Sequence, residues 1–131
     1  MKRSEEKRAD EHGAAIRDLL MELWFAIPEC APFCWRADHA PKPGRRRLYG
    51  QRLDILESDF GFAIARDAMR NYIQLRSVNM LVQPISGGIV RVSALVRRSD
   101  IGHITTITRD SYGETRALAK MCWAVKRANK P

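Results

Sequence analysis

Ser86-Gly87-Gly88 separates two runs of strand-forming residues, Val78–Ile85 and Ile89–Arg97, and this pairing limits the fold more than any other feature of the chain. Adjacent glycines supply the positive φ angles that a tight hairpin needs. The second run alternates cleanly. Val90, Val92, Ala94 and Val96 share one face, and Arg91, Ser93, Leu95 and Arg97 share the other, as in a strand buried on one side. The first run has apolar residues in both phases, which predicts cover on both faces. Arg98-Ser99-Asp100-Ile101-Gly102 turns the chain into a third, β-branched run, His103–Arg109. Consecutive strands joined by short turns form an antiparallel meander, and its apolar face must be covered by helices.

Helical patterns flank the meander. Ile16, Leu19, Leu20, Leu23 and Ile27 recur at helical spacing, predicting a helix from Ser4 to Ile27 that Pro28 stops. His12 lies on that stripe and reads as a partly buried histidine. Met21 and Phe25 fall off it, together with Ala14. They mark either a second packed side or a face for a partner or a homodimer. A second helix begins after Ser58 or Asp59, with Ile64, Ala65, Ala68, Met69, Tyr72 and Ile73 in one apolar arc. Ser111 and Glu114 have capping-box spacing and open a third helix, which runs to about Asn129. The expected fold is α+β: a three-stranded antiparallel meander packed with about three α-helices, helix–strand–strand–strand–helix in the second half. It is read as a single domain over 1–131, with an N-terminal helix in 1–27, a Pro/Arg-rich loop in 28–47 and the αβββα core in 57–130. Leu48–Leu56 fits helix or strand.

A chain of 131 residues can bury a core without disulfide staples. No apolar run approaches the roughly 18–20 residues a membrane span needs. The first residues, Met1-Lys2-Arg3-Ser4-Glu5-Glu6, do not lead into an apolar signal-peptide core. The cysteines number three, an odd count that argues against a secreted disulfide framework. A cytoplasmic location is expected.

The net charge of +8 is unevenly spread. Residues 1–65 carry eleven Lys/Arg against eleven Asp/Glu, whereas residues 66–131 carry twelve against Asp67, Asp100, Asp110 and Glu114. Such asymmetry points to an anionic partner, or serves only solubility. Its best-organised part is the third helix, where Arg116, Lys120, Trp123, Arg127 and Lys130 share one face. Leu118, Met121, Cys122 and Val125 take the opposite face and are expected to pack on the sheet. A tryptophan among cations can stack on a base while its neighbours neutralise phosphates. It can equally be covered by lysine and arginine stems, leaving the cations merely solvated. Arg45-Arg46-Arg47, beside Lys42 and Arg52 in the proline-rich loop, is a second basic cluster. Arg91 and Arg97, with Arg98 and Arg109 nearby, extend the patch over the sheet if their face is free.

Cys30, Cys34 and His39 are zinc-ligand types at a permitted spacing, but no fourth ligand lies nearby, so no metal or other cofactor is assigned. Asp38-His39 has no nucleophile placed by a motif. Gly87-Gly88 lacks the context of a phosphate-binding loop, and Glu57 and Asp59 read as capping or surface charges. The chain is therefore read as non-enzymatic.

From about residue 57 to 130, the order helix–three strands–helix with a basic last helix is similar to that of double-stranded-RNA-binding domains. That family carries lysines at the start of its last helix, followed by an Ala-Lys pair. Here Ala119-Lys120 matches the pair, while Glu114 stands where a cation is expected, so no binding residues are carried over. The functional expectation is a nucleic-acid-binding accessory protein using the basic helix face and the arginine-rich loop. The alternative is a protein-binding regulator or inhibitor of a larger nucleoprotein machine, docking its basic half on an acidic surface. In size and character it would resemble the small accessory factors of phages and plasmids, anti-CRISPR proteins among them.

Overall fold

A computed structural model describes residues 15–32, 59–97 and 102–129, with the side chains of residues 59 and 60 excepted. Helix α1 covers residues 15–26 and is followed by a 3-10 turn, Pro28–Cys30. Then come α2 (Asp59–Arg76), β1 (Ser77–Pro84), β2 (Ile89–Arg97), β3 (Ile104–Tyr112) and α3 (Glu114–Ala128). The architecture is α+β, as the sequence predicts. Ser4–Ala14, the loop beyond Pro32, and 48–56 lie outside the described residues.

The sheet is an antiparallel meander in the order β1-β2-β3. Gly87 and Gly88 adopt φ of 60° and 80° at the hairpin, and Ile89 N–H donates to Ser86 O at 3.1 Å. This is the left-handed backbone that two glycines accept without a Cβ clash. Helix α2 runs into β1 without a loop, and the register slips between Ser77 and Asn79. Val78, at that irregularity, is thrown outward and is 64% exposed.

Val92, Ala94 and Val96 of β2 are buried and point to the helices. Against them pack Ala65, Met69, Tyr72 and Ile73 of α2, and Leu118, Met121, Cys122 and Val125 of α3. Helix α3 contacts β2, β3 and α2. Each fully buried aliphatic side chain contributes about 1.5–3 kcal/mol relative to exposure, and this single core joins all three helices to the sheet.

Several expectations need correction. Both phases of β1 are apolar, yet only Met80 and Val82 pack on the core, while Leu81 is 51% exposed. All the described helices that touch the sheet lie on its other side, so apolar character in both phases did not mean two covers. Helix α3 lacks the Ser111 capping box: Ser111 and Tyr112 continue β3, and Gly113, at φ 82°, leads directly into the helix. Glu114 instead pairs with Arg70 of α2, which also reaches Asp67 at 3.6 Å. Arg66 of α2 donates to Thr115 Oγ1 at 3.3 Å. These contacts fix the start of α3 on α2.

Helix α1 is more deeply buried than its predicted stripe. Leu20, Leu23 and Ile27 are in the core, but so is Trp24, fully buried and absent from that stripe. Met21 is also in the core at 8% exposure, so it is not available as a partner or dimer face. Its buried residues, Leu20, Met21, Leu23, Trp24 and Ile27, form one arc wider than the predicted stripe. Phe25 stays at the surface, 41% exposed.

Candidate functional site

Side chains directly opposite one another in an antiparallel pair share a face of the sheet. Val92 of β2 opposes Arg109 of β3, so Arg109 projects on the helix side, as Ile107 does opposite Ala94. Arg91 opposes Asp110, so both project on the open side. This parity decides which cations reach α3.

On the helix side, Glu22 of α1, Arg109 of β3, and Lys120, Trp123, Ala124 and Arg127 of α3 line an open cleft of about 380 Å³. Lys120 Nζ donates to the Asp110 carbonyl at 3.2 Å, and an Arg109 Nη donates to the Thr108 carbonyl at 2.8 Å. Backbone carbonyls of β3 thus hold both cations without neutralising them. Ammonium and guanidinium groups carry three and five donors, so each retains donors for a ligand. Trp123 is half-buried and packs against the core, leaving part of its indole at the cleft. Among the described residues, Arg109, Lys120 and Arg127 form no ion pair. Glu22 is the single carboxylate in the lining.

The predicted helix face is therefore brought together only in part. Lys120, Trp123 and Arg127 meet at the cleft, whereas Arg116, a turn earlier, is half-buried and outside its lining. Lys130 and Arg45-Arg46-Arg47 lie outside the described residues. Arg91 and Arg97 are on the opposite face of the sheet and do not extend this patch. Arg91 is further committed to Asp110, donating from Nε at 2.9 Å and from an Nη at 3.0 Å. That hydrogen bond holds the Asp110 carboxyl below the usual carboxylate range, and Lys120 adds a smaller pull in the same direction. Glu22 and Arg109 are the residues the helix-face reading left out. Glu22 carries no sequence signal. Arg109 has one, its shared phase with Ile107, but this locates it only once the register with β2 is known.

Cys30 is fully buried, and its thiol donates to the Ile27 carbonyl at 3.0 Å. Burial pushes the Cys122 thiol well above the usual thiol range, and the neighbouring Cys30 thiol adds to this. Protonated thiols in a core are poor nucleophiles and poor ligands. Cys34 and His39 lie outside the described residues, and the described residues contain no cluster of three or more potential metal ligands. Tyr72, also in this core, is pushed up to about 12, chiefly by burial and against the opposing pull of Arg76, whose guanidinium sits 4.0 Å over its ring.

The open side of the sheet differs in character. Leu81, Ile104 and Tyr112 are 51%, 50% and 63% exposed there, with Ser93 and Thr108 hydroxyls 3.4 Å apart between them. No described helix is long and apolar enough to cross a membrane. No family model matches the chain, and neither does any curated protein or solved structure.

Proposed function

We propose that this is a non-enzymatic nucleic-acid-binding accessory protein whose contact surface is the cleft between α1, β3 and α3. One observation carries the reading: three cations without ion-pair partners among the described residues surround a half-buried tryptophan in a concave site. Phosphates supply the complementary charge, and affinity built on them falls with salt. Phosphate contacts position a strand in the cleft without themselves reading its sequence.

The test is fluorescence anisotropy with labelled DNA and RNA, for the wild type and R109E/K120E/R127E. Three neutralised phosphates give a slope of about −2 in log K against log salt for a single strand. The triple variant should lose most affinity and most of that slope. Unchanged binding by the variant refutes the reading.

A second reading, a protein-binding regulator or inhibitor, is favoured by the exposed Leu81, Ile104 and Tyr112 on the open face of the sheet. Leu81→Asp with Ile104→Asp would abolish partner capture or self-association while sparing nucleic-acid affinity. Loss of nucleic-acid affinity in that variant counts against separate surfaces.

A further inference from the structure

We propose that the cleft is a seat for one unpaired nucleotide of a single strand, its base stacked on Trp123 and its edge read by Glu22. This deepens the nucleic-acid reading and rests on it. Size comes first. Small-molecule pockets span roughly 300–1,000 Å³, and about 380 Å³ lies at the low end, suited to a single nucleotide. A duplex cannot offer its bases here, because their faces are stacked and their edges paired inside a cylinder too wide to enter. An unpaired base exposes both.

The order of residues along α3 supplies the second argument. Lys120 and Arg127 stand about one turn before and one turn after Trp123, on the same side of the helix. A base stacked on the indole then has a cation beside its 5′ phosphate and another beside its 3′ phosphate, with Arg109 facing them from β3. A free mononucleotide can satisfy only one of these cations. The site therefore favours a strand over a free nucleotide. Trp123 suits a platform because its packing on the core fixes the ring before any ligand arrives, which lowers the ordering cost of binding.

Glu22 supplies the third argument. A carboxylate repels phosphates and has no place in a simple anion site, yet it lines this one. An ionised carboxylate only accepts hydrogen bonds. Cytosine, adenine and guanine each present an exocyclic amino donor, and carboxylates accept from the cytosine N4 amino group. Thymine and uracil have no amino group, and their one edge donor, N3–H, lies between two carbonyl oxygens that a carboxylate repels. Glu22 therefore discriminates against thymine and uracil.

The experiment measures anisotropy of labelled oligo(dC), oligo(dT) and a mixed-sequence duplex against the full chain and its W123A, W123F and E22Q variants, with dCMP as competitor. Oligo(dC) should bind more tightly than oligo(dT) and the duplex, and dCMP should compete weakly. W123A should lose about 10- to 100-fold on oligo(dC) with little change on the duplex, and W123F should recover most of that loss. A urea midpoint for each variant shows that it is folded. E22Q, which can donate as well as accept, should bring oligo(dT) level with oligo(dC). Duplex binding as tight as oligo(dC), or a folded W123A with undiminished oligo(dC) affinity, overturns the nucleotide seat while leaving a phosphate-binding surface standing. Equal wild-type affinity for oligo(dC) and oligo(dT) overturns the role of Glu22. Failure of R109E/K120E/R127E to weaken any of these ligands overturns the broader reading instead.

Discussion

Arg109 and Asp110 are neighbours on β3, yet they belong to surfaces built in opposite ways. On the helix side, Arg109 joins Lys120 and Arg127 around Trp123, and backbone carbonyls hold two of these cations in place. On the open side, Asp110 and Arg91 neutralise each other beside exposed Leu81, Ile104 and Tyr112. The chain carries cations to both faces, but the helix side gathers three of them in one cleft with no ion pair among the described residues. A count of basic residues alone would not explain the difference. The pairing of those residues separates them, because a phosphate must displace Asp110 before it can use Arg91.

The largest test of this contrast is mechanical. Leu118→Ala empties a fully buried site on the covered side and should cost about 2–5 kcal/mol, read as a lower urea midpoint. Leu81→Ala on the open side should fall within about 0.5 kcal/mol of the wild type. Equal losses would mean that the open face is itself covered. Next comes Gly113, where the chain leaves the sheet for α3 at φ 82° and ψ 154°, and its N–H donates to Gly88 O at 2.9 Å. Gly113→Ala should cost about 1–3 kcal/mol through backbone strain alone, since no atom crowds the site.

A smaller effect follows from Tyr72 beneath the covered face. Its phenol titrates at 10.0 when unfolded and at about 12 when folded. The raised value makes its contribution complete below pH 10 and lost as the pH rises towards 12. Tyr72→Phe should therefore flatten part of the alkaline fall in the urea midpoint. The smallest effect belongs to the open face: Asp110→Asn should leave the midpoint unmoved, because its pair with Arg91 is solvent-exposed. It should, however, raise low-salt binding of nucleic acid by freeing Arg91. No gain would mean that the open face takes no part in binding even when its charge is released.

Much of this architecture was legible in the sequence. The alternation of Val90, Val92, Ala94 and Val96, the Gly87-Gly88 turn, and the apolar faces of α2 and α3 are local patterns, and local backbone chemistry decides them. The capping box was misread because Ser111 is also an acceptable strand residue, and pairing with Val90 of β2 outweighed a side-chain cap. Met21 was misplaced, and Trp24 left out, because the stripe was drawn narrower than the arc that α1 buries.

By itself the sequence determined the hairpin, the meander, the helical faces and the excess positive charge of the second half. Each depends on residues close together in the chain. Only the tertiary structure decided where that charge acts. Strand register sends Arg109 to α3 and Arg91 to Asp110, and helix packing brings Glu22 of α1 to the rim beside Trp123. Those choices depend on which strand lies opposite which, a long-range relation that local spacing does not encode.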